Sequence, residues 1–258
     1  MKESANVLSG TPGIEYHEDP PAIDAAEFQK VIDSRRAVRM FEREPVPEDI
    51  VARCLANGLL APNSSNLQPW EFYRIKNQET KKHLVKACLN QTAAREASEL
   101  IVVVARTATW RAHAAEMLAL FKRAGDRAPR MALTYYGKVV PFVYSMGVLG
   151  ILGLVKRAVY FFRGLFAPTI REPVSKSHLR AWAVKTAALA AQTIMLSFRA
   201  YGYDSCPMEG YDSKMIRRIL SLPRDAVVVM VIAAGKRARG GIWGPRIRFD
   251  PSRFIKTV

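Results

Sequence analysis

The sequence predicts an α+β protein: a central mixed β-sheet flanked by helices, with a helical insertion. Three observations carry this expectation. Two short valine-rich apolar runs, residues 100–105 and 226–234, read as strands covered on both faces. Between them an alanine-rich segment places Ala181, Val184, Ala188, Ala191, Met195 and Phe198 at helical spacing. Strand and helix patterns also follow one another without regular βαβ alternation, which favours α+β layering over a doubly wound sheet.

Taken in order, the remaining elements have local reasons. Asp24 can cap a helix running to about Ser34, with Phe28, Val31 and Ile32 as its apolar stripe. Pro47 suits a first helical position, and Glu48 and Asp49 follow it where negative charge favours the helix dipole. Ile50, Val51, Cys54, Leu55 and Leu59 form that helix's expected buried face, which should end before Pro62. Residues 70–75 read as a strand and 79–90 as a helix. Ser177 is the expected cap of the long helix and Gly202 its terminator. The small residues of its stripe suit close packing against another helix, as in a dimer-forming element.

The chain has 258 residues, nearly half of them apolar, enough for one sizeable core. The expected organisation is a flexible arm over 1–22 and a single domain over 23–258, with 107–176 as a partly apolar helical insertion or lid. The formal net charge is +16. No zinc-finger spacing, aromatic RNA-binding stretch or basic arm accompanies that charge, so nucleic acid is the weakest of the anionic partners it allows. Three dispersed cysteines without a CxxC pair argue against a disulfide framework and for a reducing compartment. Residues 1–21 show no apolar secretory core.

Four segments carry candidate chemistry. Arg35, Arg36, Ala37, Val38 and Arg39 form a tight basic cluster. Pro62, Asn63, Ser64, Ser65, Asn66 and Gln68 supply a polar loop rich in amides and hydroxyls. Pro207, Met208, Glu209 and Gly210 should make a rigid turn with free amides. Arg246 and Arg248 alternate so that both can project to one side of an extended segment. Alone, each has an ordinary explanation, as a solvated basic face or a surface turn. Together they offer fixed charge for a phosphate and directed hydrogen bonds for a heterocycle.

In this order the four segments resemble the nitroreductase family of FMN-dependent NAD(P)H oxidoreductases, over nearly the whole chain outside the insertion. The resemblance implies a nitroreductase-like fold and a cytoplasmic homodimer with FMN at the subunit interface. It places Arg35 at the flavin phosphate and Arg39 near the N1–C2 carbonyl edge of the ring. The Pro62–Asn66 loop and Gln68 would reach the flavin from the other subunit. Pro207 to Gly210 would pack on the ring and offer an amide to N5, and Arg246 and Arg248 would close over the phosphate. Ala37 stands where the family usually has serine, so Arg36 or a backbone amide must replace one hydroxyl contact. NADH or NADPH would donate hydride through N5 to an electron-poor acceptor, a nitroaromatic or quinone, by a ping-pong cycle. No catalytic side chain and no metal is implied. Divergent flavin chemistry (reductive dehalogenation or flavin fragmentation) and a membrane-surface flavin-binding protein without turnover remain alternatives.

Other motifs point to less. His113 and Glu116 read as a surface ion pair, since no third metal ligand accompanies them. Gly147, Gly150 and Gly153 do not match a dinucleotide fingerprint and are expected inside an apolar helix. A nicotinamide would thus be a visiting co-substrate. Cys206 reads as a small buried hydrophobe. The insertion mixes basic residues with an apolar stretch, 139–155, that is short for a membrane span. Two compatible readings follow: a lid over a pocket for a lipophilic substrate, or peripheral membrane contact through 139–166.

Overall fold

The computed structural model describes residues 17–125 and 129–258. Of the expected N-terminal arm, residues 1–16 lie outside the described residues. The sheet is built from four strands: β1 (Trp70–Arg74), β2 (Glu99–Arg106), β3 (Asp204–Met208) and β4 (Ala226–Gly235), in the order β1-β2-β4-β3. Every ladder among the described residues is antiparallel, which corrects the mixed sheet expected from sequence. The one parallel element is an isolated bridge from Ala37 to Ser205 at the β3 edge. The apolar runs gave no information on direction, because a strand buried on both faces reads alike in either orientation.

Strand β2 is apolar throughout because it faces two cores. Leu100, Val102 and Val104 point into one and Ile101, Val103 and Ala105 into the other. The pairing with β4 shifts between Val103 and Val104, a bulge that tightens the local twist. The first core is closed by α3 (Gln78–Ala87), α4 (Thr92–Glu96) and α10 (Ser213–Ile219), which contribute Leu84, Ala87, Ala93 and Ile216. The second is closed by α2 (Glu48–Leu59) and the long α9 (Lys176–Ala200). Each fully buried Val, Leu or Ile adds roughly 1.5–3 kcal/mol of transfer free energy.

The small residues of α9 serve this intramolecular contact. Ala183, Ala187, Ala190 and Ala191 are buried against the sheet and α2; of the stripe expected from sequence, Ala191, Met195 and Phe198 are buried, Val184 and Ala188 half-buried and Ala181 exposed. A Cβ on Gly58 of α2 would stand 2.6 Å from Cγ1 of Ile194, which shows how closely the two helices approach. The cap of α9 is Ser175, whose hydroxyl accepts from His178 N, and Ser177 lies inside the first turn. Gly202 ends the helix at φ +84°. Pro47 is the N-cap of α2, one position earlier than expected. Leu59 is exposed, because α2 buries only Val51, Cys54 and Gly58 fully. Asp24 caps α1 (Ala25–Ser34) as anticipated, yet α1 buries no residue and Phe28 is exposed.

The region between β2 and α9 is helical: α5 (Trp110–Arg123), α6 (Arg130–Thr134), a π-helical turn (Tyr135–Val139), α7 (Val140–Tyr144) and α8 (Ile151–Arg163). Gly147 and Gly150 lie outside any α-helix, Gly150 closing a 3₁₀ turn over Val148–Gly150; at φ +70° and +84° they make the break before α8. Gly153 does lie in α8, where a Cβ would meet Val174 O at 2.5 Å. Trp110, Tyr136, Val140, Tyr144, Met146 and Leu179 form a third, smaller core around Leu67. Buried Lys156 of α8 clamps the break. Its Nζ donates to the carbonyls of Phe142, Val143 and Ser145 at 2.8, 3.0 and 2.6 Å. Lys156→Met should lower stability by about 1–3 kcal/mol by leaving those carbonyls unpaired. Urea denaturation reads the change, and an unaltered midpoint would show that water replaces the ammonium there.

Candidate functional site

After α1 the chain leaves in an extended conformation at Arg35 and is fastened on two sides. Val38 N donates to Ser205 O of β3 at 3.1 Å, and Arg39 N donates to Gly241 O at 2.8 Å. The second contact needs glycine, since a Cβ on Gly241 would lie 2.5 Å from Met40 O. Val38 is fully buried beneath this seam, so the flanking arginines are presented from a fixed backbone.

Arg35, Arg36, Ala37 and Arg39 line a cleft of about 280 Å³ whose far wall is Trp243, Gly244, Pro245, Arg246 and Arg248. Arg246 donates to the carbonyls of Asp33 and Arg35 at 2.7 and 2.6 Å, closing the α1 C-terminus, where the helix dipole favours a cation. Arg36 donates to Gly244 O. The Arg39 guanidinium lies 4.8 Å from the centre of the Trp243 ring. Burial, followed by Arg246, Arg248 and Arg36, pushes the Arg35 guanidinium below its ordinary pKa. Asp204 opposes this, but its carboxylate, 2% exposed, is already bonded by Arg237 at 2.6 and 2.9 Å and Arg199 at 2.8 Å. Five arginines thus meet with no free acid on the cleft wall. A phosphate, with several acceptor oxygens and up to two negative charges, fits this donor set.

The segment expected to be a turn is largely strand. Pro207 and Met208 belong to β3, where Pro207 pairs with Ile232. The position is tolerated because β3 is a sheet edge, with no second ladder to require the missing N–H. Gly210 follows, and its carbonyl accepts from Gln91 Nε2 at 2.6 Å. Cys206 is buried, and burial pushes its thiol up against the opposing influence of Arg39 and Arg35.

The Asn63–Gln68 loop makes a tight 3₁₀ turn over Ser64–Asn66. Ser65, Asn66 and Gln68 all have positive φ, at 60°, 47° and 43°. Asn63 stabilises it by accepting from Gln68 N at 2.8 Å and donating to Ala61 O. The insertion holds it from above. The Ser65 hydroxyl meets the Tyr135 and Tyr144 hydroxyls at 2.7 and 3.2 Å, Tyr136 donates to Ser65 O, and His113 Nδ1 donates to Leu67 O at 2.6 Å. His113 is therefore a loop anchor, and no ion pair with Glu116 forms among the described residues. Nor do any His, Cys, Asp or Glu there form a cluster able to hold a metal.

Ser64 and Ser65 line a second cleft, of about 370 Å³, with Tyr144, Val143, Trp182 and His178. The indole N–H of Trp182 is buried there without a partner. This cleft and the arginine cleft share no lining residue. Of the sequence-selected residues, one chain therefore unites Arg35, Arg36, Ala37, Arg39, Arg246 and Arg248, and leaves Pro62 to Gln68 apart from them. Tyr135, Tyr136, Tyr144, Trp182, Asp204 and Trp243 were missed. Only Trp243 had a signal, its adjacency to the Gly244–Arg248 segment.

A layered α+β fold with an arginine-walled cleft beside its edge strand is the class of architecture that frames the site. The particular member is more specific: the chain belongs to the nitroreductase family, whose model matches residues 32–236. It is 28% identical over 216 residues to an NADH dehydrogenase of Thermus thermophilus, covering 84% of this chain and 89% of that one. It is 26% identical over 218 residues to MhqN of Bacillus subtilis, named as an NAD(P)H nitroreductase, with 82% and 89% covered. A protein from Exiguobacterium sibiricum crystallised in complex with FMN shares the fold, at a TM-score of 0.63 and 23% identity, covering 93% of this chain and 99% of its own.

Within the site, Asp204→Asn removes the shared acid of Arg199 and Arg237. Leaving two part-buried cations unpaired should cost about 3 kcal/mol in a denaturation experiment. A loss under about 0.5 kcal/mol would mean that solvent, and not Asp204, carries those charges.

Proposed function

We propose that the protein is an FMN-dependent oxidoreductase that takes reducing equivalents from NADH or NADPH and passes them to an electron-poor acceptor, a nitroaromatic or quinone, in a ping-pong cycle. The observation that carries this reading is the arginine cleft, a concentration of fixed positive charge with its acid already committed. The names of the relatives and the FMN complex of a structural neighbour support it.

Arg35, Arg36, Arg246 and Arg248 hold the FMN phosphate, the Arg36 guanidinium and neighbouring amides standing in for the hydroxyl that Ala37 lacks. Arg39, kept in place by Trp243, presents a permanent positive charge to the N1–C2 carbonyl edge of the ring. Pro207 to Gly210 lie along one side of it on β3 and its exit. Bound FMN supplies the hydride-accepting N5 and the electron storage between the two half-reactions. No side chain acts as a nucleophile.

The loop from Pro62 to Gln68 completes the site from a second copy, in a homodimer. Its separation from the arginine cleft within one chain supports this, as do the exposed apolar side chains of Phe28, Ile247, Phe249, Phe254 and Ile255. The insertion, 107–176, roofs the acceptor cleft and excludes water from it, within a single domain over 23–258. The unpartnered Trp182 N–H donates there to a nitro or carbonyl oxygen. The buried free thiols of Cys54, Cys88 and Cys206 support a reducing, cytoplasmic setting.

Purified protein should be yellow and should bleach anaerobically with NADH or NADPH, then recover on adding menadione or a nitroaromatic. A colourless protein that ignores added FMN contradicts the proposal. Arg35→Ala and Arg248→Ala should each weaken FMN binding by roughly 1.5–3 kcal/mol, read by flavin fluorescence quenching. Unchanged affinity in both places the phosphate elsewhere. Trp182→Phe should raise KM for a quinone about fivefold, near 1 kcal/mol for a lost hydrogen bond, and leave the rate of bleaching by NADH unaltered. An unchanged KM removes Trp182 from the acceptor cleft.

A further inference from the structure

The insertion displays an apolar surface that none of the described residues covers. Helix α8 exposes Ile151, Leu154, Val155, Val159 and Phe162, and the turn after it adds Leu165 and Phe166. The elbow before it adds Val148 and Leu149, the latter 92% exposed. The helical part alone, Ile151 to Arg163, runs about 18 Å at 1.5 Å per residue. An ordinary soluble surface scatters such residues singly. The elbow is fixed, since the three carbonyl bonds of Lys156 lock α8 to the end of α7.

Charge identifies the occupant. Residues 129–171 contain no Asp or Glu, but carry Arg130, Lys138, Arg157, Arg163 and Arg171 at the surface. A stripe of aromatic and aliphatic side chains set among cations complements an anionic lipid surface, apolar residues in the acyl boundary and guanidinium groups at the headgroups. A second copy of the same patch would instead bring like charges together. No single helix among the described residues is long and apolar enough to cross a membrane. The segments Arg130–Tyr144 and Val148–Arg163, bent by 68° at their break, are together apolar and long enough to enter a bilayer; the cations Arg157 and Arg163 on α8 favour contact along its surface.

Beneath α8 lies an open cleft of about 770 Å³, walled by Tyr160, Phe161, Phe162 and Arg171. Glu172 and His178 line both this cleft and the acceptor cleft of Ser65 and Trp182, so the two adjoin.

We propose that α8 and its elbow dock the protein on an anionic bilayer, and that a lipophilic acceptor dissolved in that bilayer enters through the cleft beneath α8. The entry route rests on the oxidoreductase reading above; the docking does not. Flotation with phosphatidylglycerol/phosphatidylcholine vesicles tests the docking directly. The wild type should float with the anionic vesicles and stay behind with pure phosphatidylcholine. The triple variant V148S/L149S/F166S, altered only at exposed positions, should remain in the soluble fraction and reduce a water-soluble sulfonated naphthoquinone at the wild-type rate. With a long-chain quinone in the same vesicles, that variant should lose at least tenfold in rate. Full recovery of the wild type in the soluble fraction overturns the proposal. So does a variant that floats as well as the wild type, or one whose native mass halves in light scattering, which would give the patch to a second copy. Absence of flavin from a protein that floats would sink the oxidoreductase reading alone.

Discussion

Like-charge crowding at the sheet edge is the constraint on which the rest of the structure depends. The segment after α1 is sewn between β3 and Gly241, and that seam forces Arg35, Arg36 and Arg39 against Arg246 and Arg248. Crowded guanidinium groups repel, and burial makes the repulsion worse for Arg35. The fold tolerates it by tying individual arginines to carbonyls, as Arg246 is tied at the end of α1, and to a ring, as Arg39 is to Trp243. None of these contacts neutralises charge. An anion does, and so the least comfortable region of the chain becomes its best candidate for a cofactor phosphate.

The layers explain why this edge is rigid enough to hold such a cluster. β2 and β4 are buried on both sides, and α9 lies on one face with only alanine-sized spacing, so the sheet has little room to shift. Asp204, at the start of β3, is fixed by two arginines from different elements. Pro207 can stand three positions later in the same strand because β3 is the edge. The loop from Asn63 to Gln68 depends on different physics. It is a strained turn held by tyrosine hydroxyls from the insertion, and so it belongs to the least sheet-like part of the molecule.

Much of this was legible from residue pattern, and its failures have physical causes. Valine-rich runs located β2 and β4 to within a residue but not their direction, since doubly buried strands carry no alternation. The α9 stripe was placed correctly at Ala191, Met195 and Phe198 but missed the buried face at Ala181, because alanines on every side of the first turns leave no apolar contrast there. Ser177 stands before the apolar pattern as a cap should, but Ser175 precedes the same pattern, and only geometry shows which hydroxyl reaches an amide. The arginine cluster and the Arg246/Arg248 pair could be read as one site only through the order of motifs that the family resemblance supplies, since each alone reads as a solvated basic face. Tyr135, Tyr144 and Trp182 could not, since an aromatic residue inside an apolar helix has no mark that separates a cleft wall from a core. The His113–Glu116 spacing suggested an ion pair, and the nearby carbonyl of Leu67, unseen in sequence, won the imidazole.

The proposed account joins a charged cleft from one copy, a polar loop and apolar roof from another, and an exposed amphipathic helix at the entrance. Its central claim is that the arginine cleft holds the flavin through its phosphate. The direct measurement is the ratio of dissociation constants for riboflavin and FMN, the two differing only by that phosphate. The account predicts FMN bound at least a hundredfold more tightly by the wild type, a ratio that collapses toward one in Arg35→Ala/Arg248→Ala. Equal affinity of the wild type for the two flavins would contradict it.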